Sequence, residues 1–220
     1  MDGSGKRERW GARMYPEYGQ IVGRFKEKGE WVYARGLPDH PPFKSASLAA
    51  ERLLAHFPGN ASLLVMRDQS LASLREMVLR TGRRLVVPGR GGKQVYLVPP
   101  EALGCGRLRG STAKQRGVLK LGDIPRGSKP YSGKVDAVVC ACLAFDPSDA
   151  HLFSFDTDRL ALTLEQLREG SSPGFTIENN TPILCLASDA QEVSGWPSRA
   201  RSYVMAHAVI TQTRFIQLPM

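Results

Sequence analysis

Between residues 143 and 167 the chain reads LAFDPSDAHLFSFDTDRLALTLEQL, and four aspartates sit at this joint between an apolar run and a helix-like pattern. Asp156 and Asp158 are hard oxygen donors of the kind that hold Mg²⁺. The same two residues are favoured caps for a helix that starts there, and capping is the commoner use. A strand feeding a helix is also where α/β proteins cradle phosphate on backbone N–H groups, with glycines making the room. Here Phe153 and Phe155 occupy the joint and no glycine is present. Rings cannot give close backbone approach, and the carboxylates would repel phosphate unless a cation intervened. The joint is expected to pack Phe153 or Phe155 inward and to place Asp158 near the N-terminus of the next helix.

Other residue types could do chemistry. Cys140 and Cys142 stand two apart on one strand-like run, with Cys185 on another and His151 on a loop. Zinc sites use tighter local spacing, so buried core thiols are the expectation. Gly89, Gly91 and Gly92 in PGRGGK could cradle an anion, but a turn between two strands explains them more simply.

The elements that must position these groups follow from pattern. At 220 residues and 42% hydrophobic content the chain suits one globular domain. Residues 1–43 read as an irregular N-terminal segment. KSASLAAERLLAHF (44–57) reads as a helix with Leu48, Leu53, Leu54 and Phe57 near one face. SLASLREMVLRTG reads as a second helix closed by Gly82. Strands are expected at 62–66, 84–88, 94–98, 182–187 and 207–211, and a helix at 158–169. The run VDAVVCACLAF (135–145) is apolar on both faces, which suits an interior strand of a parallel sheet. Strands alternating with helices argue for a single α/β domain with a mainly parallel sheet.

The formal charge is +9, and eight of the basic residues fall between Arg107 and Lys134 against one acidic residue, Asp123. Such a field favours anionic partners. Aromatics are not interleaved there until Tyr131, so nucleic acid is the weaker of the anionic alternatives. No apolar stretch approaches 18 residues and the N-terminus has no signal-like core, so no membrane contact and a cytoplasmic setting with reduced thiols are expected.

Several stretches together resemble the 5-formyltetrahydrofolate cyclo-ligase (methenyltetrahydrofolate synthetase) family, in its diverged "synthetase domain-containing" branch. RWGAR offers Arg9, Trp10 and Arg13 in the spacing of the family's early Lys-x-x-Ile/Leu-Arg. PPFKSASLAAERL is similar to Pro-x-Phe-Lys-Gly-Ala…Ala-Ala-x-x-Leu, with Ser45 for the glycine. VVCACLAFD ends at Asp146 like the family's Ala-x-Asp strand. ASDAQEV, with Asp189 and Gln191, and VITQTRFI, with Thr211, Thr213 and Arg214, resemble two later motifs. The matches are colinear from residue 9 to residue 216.

The resemblance implies a three-layer α/β fold, a mainly parallel sheet with helices on both faces, of the cyclo-ligase (NagB-RpiA-like) type. It implies ATP and Mg²⁺ as cofactors and a folate-like or other anionic small molecule as ligand. In the family's reaction ATP phosphorylates the N5-formyl oxygen, N10 closes on the activated carbon, and phosphate leaves. Carried over, Arg9, Arg13 and Lys44 would meet the ATP phosphates, with plain surface charge as the alternative, Trp196 and Tyr203 would stack on a pterin or else pack beside the sheet, and Arg214 would orient the substrate. Asp156 and Asp158 would be the Mg²⁺ ligands. Where the family has Arg-x-Gly-x-Gly-x-Gly, this chain has HLFSFDTDR, and the family's later His-Asp pair falls on Ser202-Tyr203. Three functions stay open: ATP-dependent cyclisation of a folate or other amide-bearing substrate; a catalytically inactive member that binds folate or nucleotide; and, as the weaker alternative, an RNA-associated protein that uses the basic segment 107–134.

Overall fold

The computed structural model describes residues 16–32, 40–89, 94–103, 124, 127–154, 157–169, 173–195 and 201–219. In chain order the helices are α1 (Pro16–Glu27), α2 (Ala46–Leu54), α3 (Ala72–Arg80) and α4 (Thr157–Arg168). The strands begin with β1 (Ser62–Val65), β2 (Arg84–Pro88), β3 (Val95–Val98), β4 (Lys129–Pro130), β5 (Gly133–Lys134) and β6 (Ala137–Ala141). They continue with β7 (Ala144–Phe145), β8 (His151–Phe153), β9 (Phe175–Thr176), β10 (Ile183–Leu186), β11 (Arg201–Met205), β12 (Ala208–Ile210) and β13 (Phe215–Gln217).

Eight strands form the main sheet in the order β13-β12-β10-β6-β1-β2-β3-β4. The five central strands are parallel, and β13, β3 and β4 close the edges in antiparallel pairs. The fold is therefore α/β with a mainly parallel sheet flanked by helices. Every residue of β6 is buried, as a strand covered on both faces requires. It pairs Leu64 with Val138 on one side and Cys185 with Cys140 on the other. The connection from β1 to β2 carries α3, and the connection from β6 to β10 carries α4. α3 packs on β2, and α4 packs on β11 and β9.

Three expectations need correction. The apolar run 135–145 is not one strand: the chain leaves the sheet at Cys142 and Leu143, and β7 joins β8 and β11 in a separate sheet. The cause is Gln191, whose Nε2 donates to the carbonyls of Cys142 (2.6 Å) and Leu143 (3.1 Å) in place of a neighbouring strand. Within the segment expected to be irregular, Pro16–Glu27 is a helix. Its Tyr18, Ile21, Val22 and Phe25 fall at i, i+3, i+4 and i+7 and are buried, and Phe25 stacks on Phe43 with centroids 6.3 Å apart. In α2 the buried face is Ala46, Ala49, Ala50, Leu53 and Leu54, while Leu48 is exposed. Small residues let this helix lie close to β10, β12 and α3.

Candidate functional site

The carboxyl ends of the parallel strands carry two constellations. The first is a groove of about 650 Å³ lined by residues that include Arg24, Lys28, Asp146, Asp189, Glu192 and Arg214. Arg24 comes from the last turn of α1, whose apolar face packs it beside the 3₁₀ turn Asp189–Gln191. That turn is held by a capping box: Ser188 Oγ accepts from Ala190 N–H, and Gln191 Oε1 accepts from Ser188 N–H at 2.7 Å. The same Gln191 amide anchors the end of β6, so one side chain sets the groove floor against the sheet.

Arg214 is presented by the TQTR turn after β12. Buried Thr211 accepts from the N–H groups of Thr213 (3.3 Å) and Arg214 (3.0 Å), an ST-turn that fixes both side chains. Thr213 Oγ1 then donates to Asp189 Oδ2 at 2.6 Å, and Arg214 donates to Asp189 Oδ1 at 3.0 Å and to Glu192 Oε2. Partial burial pushes the Asp189 carboxyl up, but Thr213, Thr211 and Arg214 together hold it below its ordinary value. The hydrogen bonds to Glu192 and Asp189 raise the Arg214 guanidinium further. Asp146 accepts from Ser148 N–H (2.9 Å) and Oγ (2.6 Å) and from Gly195 N–H (2.7 Å). Among the charged residues named, three cations face three carboxylates. Such a groove suits a ligand that carries hydrogen-bond donors as well as anionic groups.

The second constellation lies where the strand order reverses. From β1 the chain moves to β2 on one side, and later to β6 on the other, so the crevice between β1 and β6 is the topological switch point. Asp68 follows β1. Its Oδ1 accepts from Ser70 N–H (2.8 Å) and Oγ (2.5 Å), and its Oδ2 lies 2.7 Å from His40 Nδ1. His40 Nε2 lies 2.8 Å from Ser154 Oγ, at the joint between β8 and α4. Arg75, buried in α3, donates to the carbonyls of Met66 and Asp68 at 2.7 Å each, which clamps the backbone that carries Asp68. Burial lowers the Arg75 guanidinium to about 10, even though Asp68 opposes the shift. Burial likewise pushes the Asp68 carboxyl up, and His40 and Ser70 outweigh it, leaving it below its ordinary value.

The glycine-free joint is packed as expected: Phe153 is 1% exposed, pairs with Ala144, and its carbonyl accepts from Leu143 N–H at 2.7 Å. Asp158 is the second residue of α4, and its side chain lies outside the described residues, as do Phe155 and Asp156. Arg9, Arg13 and Trp196 also lie outside them. Tyr203 is placed on β11, with its side chain outside the description. Lys44 is exposed, its N–H bonds the Glu30 carbonyl at 3.0 Å, and it does not line the groove. Among the described residues, the candidate from sequence that lines the groove is Arg214, together with the motif residues Asp146 and Asp189.

Cys140, Cys142 and Cys185 are buried free thiols, and burial raises the Cys185 thiol well above its ordinary value, with the other two thiols adding to the shift. His151 pairs with Asp149 at 2.8 Å rather than with the thiols. Among the described residues no group of three or more His, Cys, Asp or Glu side chains is set to hold a metal ion. Most of 107–134, and Arg90–Lys93 of the glycine turn, lie outside the described residues. No described helix is long and apolar enough to cross a membrane.

Sequence reasoning missed Arg24, Lys28 and Glu192, and with them His40, Asp68 and Ser154. The first two had a signal in the amphipathic spacing of α1. The last three had none, because their bonds span 28 and 114 residues.

No family model matches the chain. No curated protein matches it either. Among solved structures the chain is similar to the crystal structure of eIF2B beta from Chaetomium thermophilum, at 10% sequence identity and a TM-score of 0.40. That likeness covers 77% of this chain and 49% of the other, so the chain spans about half the length of this neighbour.

Proposed function

We propose that this chain binds an amphoteric small molecule of reduced-folate chemistry in the groove, and does so without transferring a phosphoryl group. The observation that carries this reading is the groove itself: about 650 Å³ at the carboxyl ends of the parallel strands, with Asp189 and Glu192 beside Arg24, Lys28 and Arg214. The volume falls in the range of small-molecule sites, and the position is where open α/β sheets hold ligands. A pterin ring offers an amino and a ring N–H side by side, which a carboxylate can accept as a pair. The glutamate end of a folate offers carboxylates, which suit Arg24 and Lys28. The resemblance to the cyclo-ligase family supplies the folate, and the residues lining the groove supply the chemical match.

Binding is favoured over ATP-dependent cyclisation because Phe153 is packed in the joint where the family's glycines meet phosphate. The test is a melting curve with 5-formyltetrahydrofolate, with ATP-Mg²⁺, and with both. At a hundredfold excess over Kd a ligand stabilises by about 2.7 kcal/mol, which for a chain of this size raises Tm by about 5–10 °C. The folate alone should produce that shift, and the double variant Arg24→Ala/Lys28→Ala should lose most of it. A shift with ATP-Mg²⁺ alone, together with formation of the methenyl product when the folate is also present, would overturn the reading in favour of cyclisation. No shift with the folate at saturating concentration would remove it altogether.

A further inference from the structure

We propose that Ser154 is a nucleophile activated by His40 and oriented through Asp68, and that the crevice at the switch point transfers acyl groups from small carboxylic esters to water. The crevice needs neither the groove nor folate for this chemistry, and the two sites share none of the residues named.

The proton inventory sets the direction of the relay. An ionised carboxylate only accepts, so His40 Nδ1 carries the hydrogen that reaches Asp68 Oδ2 at 2.7 Å. In the neutral imidazole, Nε2 then holds the lone pair and faces Ser154 Oγ at 2.8 Å, so the hydroxyl donates to it. Those are the two bonds that a serine nucleophile, its base and the orienting carboxylate require. The second oxygen of Asp68 is occupied by Ser70, and Arg75 pins the Asp68 carbonyl, so the carboxylate is held from both ends. Support of this kind keeps a reacting constellation in register.

Ser154 stands between the end of β8, in the three-stranded sheet, and the start of α4, a plain strand-to-helix joint, with no positive φ at any described non-glycine residue, rather than the strained elbow of α/β hydrolases. The glycines of that elbow are absent, with Leu152 and Asp156 at their positions. Burial is deep without being complete: the side chains of His40 and Asp68 are 12% and 11% exposed, and Ser154 is 6% exposed. The proposed substrate is therefore compact.

The chemistry balances within the constellation. Ser154 Oγ bonds to the ester carbon while its proton passes to His40 Nε2. The carbon–oxygen bond to the leaving alcohol breaks, and the alcohol takes the proton from His40. Water then attacks the acyl-serine, gives a proton to His40, and Ser154 recovers it as the carboxylic acid departs. Ser154 and His40 are the catalytic residues; Asp68 and Arg75 are positioning residues.

The experiment uses the full chain with p-nitrophenyl acetate and, separately, a fluorophosphonate probe, each followed by peptide mass mapping. An acetyl or phosphonyl adduct on Ser154 is expected, together with a burst of p-nitrophenolate. Ser154→Ala should abolish both while leaving the melting curve cooperative. His40→Gln should slow adduct formation by about 100-fold or more, the usual contribution of a general base. The parent protein supplies a readout that needs no variant: the labelling rate should rise with pH through a single midpoint as His40 loses its proton. A folded parent protein with no adduct on Ser154, or a labelling rate that climbs only in proportion to hydroxide, would overturn the proposal. Either result would make the three residues a structural tie between the segment before α2 and the sheet.

Discussion

Replacing Phe153 with alanine tests directly what the glycine-free joint does. The ring is 1% exposed at the end of β8, where its cross-strand partner Ala144 is fully buried. Truncating a ring so enclosed removes its transfer free energy and leaves a cavity, which together cost about 3–5 kcal/mol. A domain is stable by only about 5–15 kcal/mol in all, so the variant should lose a large share of it. For a chain of this size each kcal/mol moves Tm by about 2–4 °C, giving an expected fall of about 6–20 °C. Phe153→Leu preserves most of the volume and should cost well under half as much. Phe153→Gly should exceed Phe153→Ala by about 0.5–1 kcal/mol through backbone entropy. Urea unfolding followed by circular dichroism measures all three, with an unchanged m-value as the check that unfolding stays two-state. A Phe153→Ala loss below about 1 kcal/mol would refute the reasoning, since the enclosed ring would then contribute little to the core.

Asp68→Asn should cost about 3 kcal/mol at pH 7, the scale for removing one partner from a buried pair. Because the folded carboxyl lies below its ordinary 3.8, its contribution is complete above that value and fades as pH falls below it. The gap between parent and variant in urea melts should therefore close in strongly acid solution; a gap independent of pH would count against an ionised Asp68 held by His40 and Ser70. Arg214→Ala should change stability by no more than about 1 kcal/mol, since its partners are part-exposed, yet it should reduce the folate-induced melting shift. Gly82 ends α3 at φ +75° with open space where a methyl would project, so Gly82→Ala should cost about 1 kcal/mol from backbone strain alone, read by the same melts. Iodoacetamide should leave Cys140, Cys142 and Cys185 unmodified in the native protein and alkylate all three in urea, as peptide mapping would show.

The architecture was legible wherever one element alone determined its own pattern. The β6 run is apolar on both faces because both faces are covered, and Gly82 marked the end of α3 because few other residues accept its backbone angle. Legibility failed where a distant partner decided. Nothing in VDAVVCACLAF says that Gln191, some fifty residues on, will take the carbonyls of Cys142 and Leu143 and divide the run. In α2 the hydrophobicity of Leu48 suggested a buried position, but close approach to the sheet selected the alanine face. The glycine and charges around α1 obscured a four-residue apolar stripe. Of the groove, only Asp146, Asp189 and Arg214 were visible, through motif resemblance. Ser154, His40 and Asp68 come from three separated loops, and chain spacing carries no trace of such a convergence.

The strand order has a consequence for the growing polypeptide. On a ribosome β1 can pair with β2 once residue 88 has emerged, but its other edge waits for β6, which begins at residue 137. The outer edge of β6 then waits for β10 at residues 183–186. Through nearly fifty residues of synthesis after β2, four fully buried strand residues, Ser62–Val65, present an unpaired apolar margin to the surroundings. Such margins recruit other chains, and pairing that joins distant segments is slow to form. A nascent chain halted before residue 137 thus holds its stickiest surface open, and the passage from β2 to β6 is the interval in which a chaperone has most to protect.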